Sequence, residues 1–212
     1  ENTAILNLNH LTDELTLKAN ITGRGEVLHE GTGATLLTGS NTWTGNAILN
    51  NGTLRAGSSG AFSPKADFTV GPNATLDLNG YNQTINSLIL KGVLNYGHTS
   101  TCKHDLSLSK NALTVNGDYH SDEGALVLNT GKDLDNAESQ VNRLHIKGNS
   151  SGTTWVYLNE LGGLGNDNLN GTQVVQVDGN SDGVFLAGGR LVAGAHEYSV
   201  SRGVASDVSE AS

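Results

Sequence analysis

The chain has a single cysteine, Cys102, so no disulfide can close within it, and burial and backbone pairing must hold it folded. Cys102 reads as an ordinary free thiol in a loop, with pairing between two molecules as the alternative. Basic residues are scarce: 12 Lys and Arg stand against 21 Asp and Glu, a net charge of -9. Phosphate contacts need clustered cations and none are clustered here, which excludes a nucleic-acid partner. No apolar run approaches the ~18 residues that a membrane helix needs. No signal peptide is visible and the chain opens on Glu1 rather than Met, so it reads as a segment cut from a longer precursor. Aromatic residues are 5% of the chain and charged residues 16%, fewer aromatics than a β-sandwich normally shows.

What the sequence has instead is glycine, 28 of 212 residues, together with abundant Asn, Ser and Thr. Its surface is therefore polar through amides and hydroxyls, a composition that fits secreted or surface proteins. At 22.0 kDa the chain can bury a substantial core as one domain or as a continuous section of a larger fold.

Apolar residues alternate with polar ones in runs of three to six. Ala4 to Leu8, Leu15 to Leu17, Gly25 to Leu28 and Ala34 to Leu37 are too short and too alternating for helices, and they predict strands. Between Leu37 and Leu54 glycines recur at Gly39, Gly45 and Gly52, with Asn51-Gly52 expected to be a turn. Leu76 and Leu78, then Ile85, Leu88 and Leu90, repeat the theme. Farther on, Leu113-Thr114-Val115, Leu144-His145-Ile146 and Val174 to Val177 each end on a glycine turn. Equivalent turns lie roughly twenty residues apart, the lower end of solenoid spacing. An all-β parallel β-helix suits this pattern, since small residues and Asn can line the corners while Leu, Val and Ile fill a narrow interior. At ~4.8 Å per coil, about ten coils would give a rod on the order of 50 Å. Residues 1–130 are read as coils, 131–203 as a β cap that holds bulkier residues and longer loops, and 204–212 as the start of a linker.

The segment LTGSNTWTGNAILNNGTL resembles the passenger-associated repeat of classical Gram-negative autotransporters of the pertactin and AIDA-like group, at Leu37, Gly39, Trp43, Thr44, Gly45, Gly52, Thr53 and Leu54. More specific is the succession LTVNGDY, GALVLNT, RLHIKGNSSGTTWVYLNELGGLG and VVQVDGNSDGVFLAGGRLVAGAHEYSV, which resembles the autochaperone end of such passengers. Two positions depart from that pattern: Asn142 stands where the family usually has Asp, and the chain has Tyr198-Ser199-Val200 where the family tends to end in Tyr-x-Leu. The resemblance implies a right-handed β-helix carried through the periplasm to the bacterial cell surface or outer membrane, or secreted, by a C-terminal β-barrel translocator outside this chain. Expected partners are that barrel and the outer-membrane assembly machinery, with host surface or matrix molecules or self-association as further candidates. It also implies a folding template, a stalk for an adhesin or other virulence factor, and no enzyme. The positions carried over as folding and cap residues are Leu113, Val115, Gly117, Tyr119, Leu144, Ile146, Gly148, Trp155, Tyr157, Leu158, Gly163, Gly165, Val177, Phe185 and Tyr198.

No catalytic, cofactor or metal site is expected. Gly162 to Asn170 fits a calcium-binding nonapeptide position for position, but one copy lacks the neighbouring copies that complete six to eight oxygens, so it reads as a structural loop. His98, Cys102 and His104 lack the fourth ligand that a structural zinc site wants. His120 beside Asp118 and Asp122 is ordinary turn chemistry. No Gly-x-Ser-x-Gly occurs. Asp77, Asp105, Asp118 and Glu123 are scattered singly, which weakens the alternative of a carbohydrate-active β-helix enzyme. Asn-x-Thr triplets such as those at Asn51, Asn73, Asn82 and Asn170 arise by chance in so Asn- and Thr-rich a chain. Trp43, Trp155, Tyr157 and Phe185 could stack on sugars, and a core or cap place is the expectation.

Overall fold

The computed structural model describes residues 4–97, 111–130, 142–160, 173–193 and 196–203, in which strands alternate with turns, bends and irregular segments and no helix occurs. The alternating runs near the N-terminus become β1 (Ile5–Leu8), β2 (Leu15–Leu17), β3 (Glu26–His29) and β4 (Ala34–Leu37), two strands to each coil. The next two coils carry single bent strands, β5 (Ala47–Ala56) and β6 (Asp67–Asp77), followed by β7 (Gln83–Ile85) on a third face. Then come β8 (Ser87–Leu90), β9 (Val93–Asn95), β10 (Ala112–Val115), β11 (Tyr119–Thr130), β12 (Arg143–Ile146), β13 (Ser150–Glu160), β14 (Val175–Val177) and β15 (Val184–Ala187). A hairpin of β16 (Leu191–Ala193) and β17 (His196–Tyr198) follows as the last described pair of strands.

Every pairing before that hairpin is parallel, in the order β1-β3-β5-β6-β8-β11-β13-β15 along one ladder and β7-β10-β12-β14 along another. Parallel neighbours cannot be joined by tight hairpins. Here each return path is the rest of a coil, and the fold is a parallel β-helix.

Stacking aligns like with like. Leu54, Leu76, Leu94, Leu126 and Val156 form one continuous inward column, each the registered partner of the next and each sealed from solvent. Trp43, Phe62 and Phe68 cluster in the interior, with ring centroids 6.0 and 5.6 Å apart around Phe68.

Two expectations change. Asn51-Gly52 does not end a strand; it lies inside β5, where the register slips between Leu49 and Asn51 and Gly52 takes φ +66°. A parallel coil needs a corner and not a reversal. One left-handed residue bends the strand there, and glycine adopts that conformation without steric cost. Among the described residues the coil count is also lower than ten. Partners are spaced 21, 20, 21 and 20 residues apart through Ile5, Glu26, Val27, Ala47, Phe68 and Leu88, but 31 apart from Leu88 to Tyr119, Tyr119 to Ser150 and Thr153 to Val184. Eight strands therefore stack along the main ladder, a rise on the order of 34 Å. The longer coils gain their residues at one place, between β9 and β10, β11 and β12, and β13 and β14.

Candidate functional site

The 31-residue coils at the C-terminal end are the candidate site, and their strands lock together through side chains as well as backbone. On the third face, Ile85, Val115, Ile146 and Val177 form one column, and Gln83, Leu113, Leu144 and Val175 another. Leu113, Val115, Leu144 and Ile146 are fully buried, whereas Val175 and Val177, in the last strand of that face, are half-buried against the core.

The corner after each of these strands is a stack of glycines. The Gly148 N–H donates to the Gly117 carbonyl at 3.1 Å, and Gly179 donates to Gly148 at the same distance. A Cβ at Gly148 would stand 2.5 Å from the Gly117 carbonyl oxygen, and one at Gly179 2.5 Å from that of Gly148. Real Cβ atoms do not come that close, so the backbones can approach only where side chains are absent. Beside the glycines runs a ladder of turn side chains. Asp118 Oδ1 accepts the Asn149 N–H at 2.8 Å, and Asn149 Oδ1 accepts the Asn180 N–H at 2.9 Å. The carbonyl-bearing short side chains that favour turns here join one coil to the next.

Tyr119 spans three coils. Its hydroxyl is 2.8 Å from Thr154 Oγ1 in the next coil. Its ring stacks on Phe185 in the coil after that, with centroids 6.1 Å apart and planes 15° from parallel. Burial pushes its phenol up to about 12, against the opposing pull of its bonds to Thr154 and Ser121. Tyr96, fully buried, donates its hydroxyl to the Arg143 carbonyl at 2.7 Å, and burial raises its phenol pKa as well. Asn142, the departure from Asp, is buried, and its Oδ1 accepts the Asn129 N–H at 2.8 Å. An amide oxygen does there what a carboxylate oxygen would do.

Trp155 and Tyr157 do not enter the interior. They alternate with buried Thr154 and Val156 and so stand on the outer face. Trp155 Nε1 donates to Glu123 Oε2 at 2.6 Å, and Glu123 sits at φ +59° in a bulge between Asp122 and Gly124. The Tyr157 ring lies against Gly188, where a Cβ would meet ring atoms at 2.2 Å. Leu158 and Phe185 are half-buried against the core.

The last coil is closed from above. Leu191, at the start of the β16–β17 hairpin, is buried; Arg190 grips Glu197 through two bonds of 3.1 and 3.2 Å. After the hairpin Val200 packs on the core, and the Arg202 guanidinium donates to the carbonyls of Ser181 and Gly183 at 2.6 and 3.1 Å. Those carbonyls belong to the last described coil, and among the described residues no further strand stacks on it to take their bonds.

Single acidic residues noted in the sequence have partners of their own: Asp77 Oδ2 takes Arg55 Nε at 2.8 Å, and Arg55 also reaches Glu14 at 2.8 Å. His120 Nδ1 lies 2.9 Å from Ser151 Oγ. Gly163 and Gly165, the nonapeptide-like loop, and His98, Cys102, His104 and Asp105 lie outside the described residues, as does the Tyr198 side chain. Sequence reasoning missed Tyr96, Thr154, Asn129 and Arg202, none of which carries a local motif.

A family model described as Autochaperone Domain Type 1 matches residues 83–200, a span that opens at β7, one strand before the coils lengthen. Uncharacterized protein YuaQ of Escherichia coli (strain K12) is 32% identical over 97% of this chain and 14% of its own length. The Adhesin BmaC autotransporter of Brucella suis biovar 1 (strain 1330) is 30% identical over 89% of this chain and 8% of its own length. Autotransporter adhesin AIDA-I of Escherichia coli is 39% identical over 44% of this chain and 7% of its own length. The chain thus spans only a small part of each of these relatives, and the family model covers more than half of the chain: it belongs to the Autochaperone Domain Type 1 family of autotransporter passengers.

Proposed function

We propose that the C-terminal coils are the folding template of the passenger, on which the 20- and 21-residue coils stack in turn while the chain crosses the outer membrane. As a passenger segment the chain is exported to the surface of a Gram-negative cell. The observation that carries the reading is the reach of Tyr119 across three coils, to Thr154 and Phe185. A side chain that is buried only when three coils are in place couples their formation. In a repeat protein, stability is a sum of coil and interface terms, and a unit coupled in this way can nucleate the rest. In this reading residues 131–203, whose parallel strands β12 to β15 lead into the β16–β17 hairpin, close the last edge, residues 1–130 supply the coils stacked on them, and 204–212 lead toward a β-barrel translocator.

The same rod would serve as the stalk of a surface adhesin, the role printed in the names of two relatives, and we place it among non-enzymatic proteins. Its described acidic side chains support that placement, because Asp77, Asp118 and Glu123 are engaged in structural bonds. Folding kinetics of the whole chain test the template. Tyr119→Ala and Ile146→Val should slow folding in proportion to the stability they remove, whereas Leu49→Ala should chiefly speed unfolding. The opposite assignment would refute it. A second reading rests on the outer face, where Tyr157 is 39%, Val184 47% and Leu186 40% exposed: this strip would contact a host receptor directly. A Tyr157→Ala variant that folds normally yet loses adhesion would favour it.

A further inference from the structure

At the opposite end of the rod five residues form a hydrogen-bonded relay through three successive coils. Thr12 Oγ1 lies 2.8 Å from His10 Nδ1, and His10 Nε2 lies 2.8 Å from Thr35 Oγ1. Thr35 Oγ1 is 3.1 Å from His29 Nε2, and His29 Nδ1 is 2.8 Å from the Asn51 carbonyl oxygen. The first coil supplies Thr12 and His10, the second His29 and Thr35, and the third Asn51. His29 and Thr35 are fully buried, and the two imidazoles meet edge to face with centroids 5.9 Å apart.

One end of this relay fixes all its protons. The Asn51 carbonyl can only accept, so His29 must carry its proton on Nδ1, which leaves Nε2 as an acceptor. Thr35 then donates its hydroxyl proton to His29 and accepts from His10 Nε2–H. His10 Nδ1 is consequently an acceptor and takes the hydroxyl proton of Thr12. The two histidines are held as opposite neutral tautomers, and each donor has one acceptor.

We propose that this relay is an acid-sensitive latch, which joins the three N-terminal coils at neutral pH and loosens them in mild acid. A proton added to His29 Nε2 would point at Thr35 Oγ1, which already accepts from His10. The Thr35 hydroxyl proton would then lose its acceptor inside the core, and a charge would be buried beside a second imidazole. Few other charges act there. β1 and β4 hold no titratable side chain; β3 brings Glu26, which takes the Asn46 amide at 3.4 Å, and Glu30 beyond its end takes the Asn7 amide at 3.0 Å. β5 brings Arg55, held by Glu14 and Asp77. Among the described residues, the charge-bearing side chain that acts on His29 is His10. Burial lowers the His29 pKa most; the Asn51 carbonyl opposes this, His10 adds to it, and the Gly31 backbone opposes it.

The sign follows from linkage. A histidine whose folded pKa lies below its unfolded value contributes stability that is present above about pH 6.5 and is lost as pH falls toward the folded pKa. One proton taken up on opening raises the opening equilibrium about tenfold per pH unit in that window.

Two measurements on the intact chain test the latch. Nitrogen-15 spectra at neutral pH should show His29 protonated on Nδ1 and His10 on Nε2; His29 protonated on Nε2 would overturn the relay. Amide exchange, corrected for intrinsic rates, should show opening of β3 and β4 rising about tenfold per unit between about pH 6.5 and the folded pKa, with β6, which has no histidine, as the control. Equal responses in the two regions, or none in β3 and β4, would overturn the proposal. His29→Gln should abolish the acid response. If that variant does not fold, the two wild-type measurements still decide.

Discussion

The Asn142 side-chain oxygen accepts the backbone N–H of Asn129 at 2.8 Å, 13 residues back along the chain, with both residues almost sealed from water. Removing it leaves a buried backbone donor without a partner, which costs about 1–3 kcal/mol. Asn142→Ala should therefore lower unfolding free energy by that amount in denaturant titration. Asn142→Asp keeps an accepting oxygen, and should recover most of the loss at neutral pH.

Two of the five tyrosines should resist alkali. Tyr119 is pushed up to about 12 by burial, and burial raises Tyr96 too, against about 10 in an unfolded chain. Their neutral forms contribute stability that is complete below about pH 10 and is lost as pH climbs toward their folded values. Ultraviolet titration should show the Tyr96 and Tyr119 phenols ionising only together with loss of β circular dichroism.

Trp43 is fully buried, yet no acceptor among the described residues reaches its indole N–H. Trp43→Phe should cost about 1 kcal/mol or less, because the lost ring volume is offset by relief of an unpaired donor. Trp43→Ala, which empties the site beside Phe68, should cost about 3–5 kcal/mol. Equal losses would show that the indole nitrogen has a partner after all.

How much of this was legible in the sequence depended on distance along the chain. Strand alternation is local, so Leu113-Thr114-Val115 and Leu144-His145-Ile146 announced both their conformation and their inward faces. The glycines at 117 and 148 were equally visible as turns, but that each is needed because the other lies under it appears only once the 31-residue register is known. Asn51-Gly52 misled because its sequence also suits an antiparallel hairpin. The lengthening from 20 or 21 to 31 residues showed only as longer loops in the stretch read as a cap, since the added residues fall between strands and leave each strand's pattern intact. Tyr119 with Phe185, and Arg202 with Ser181, depend on contacts 66 and 21 residues apart that no local window contains.

Gly148→Ala is a direct probe of the glycine stack. Its methyl would stand 2.5 Å from the Gly117 carbonyl oxygen, and overpacking of this kind costs about 1–3 kcal/mol. Gly189→Ala meets nothing within 4 Å and should change stability by no more than about 0.5 kcal/mol. Thermal melts of the two variants provide the comparison.

Arg202→Ala should unseal the last coil. With the Ser181 and Gly183 carbonyls released, exchange of the β15 amides should rise about fivefold, the worth of roughly one hydrogen bond. Bare strand edges recruit other strands, so light scattering should register more self-association than in the parent chain. Unchanged scattering with unchanged exchange would mean that the hairpin alone closes the end.

The change in coil length has a mechanical meaning. Stretched out, a 31-residue coil such as that from Tyr119 to Ser150 spans about 100–110 Å, yet once closed it advances the rod by only ~4.8 Å. A 20-residue coil such as that from Phe68 to Leu88 takes in about 65–70 Å of chain for the same advance. Chain fed from a fixed point is therefore reeled in about half as far again by each C-terminal coil that shuts as by each N-terminal one.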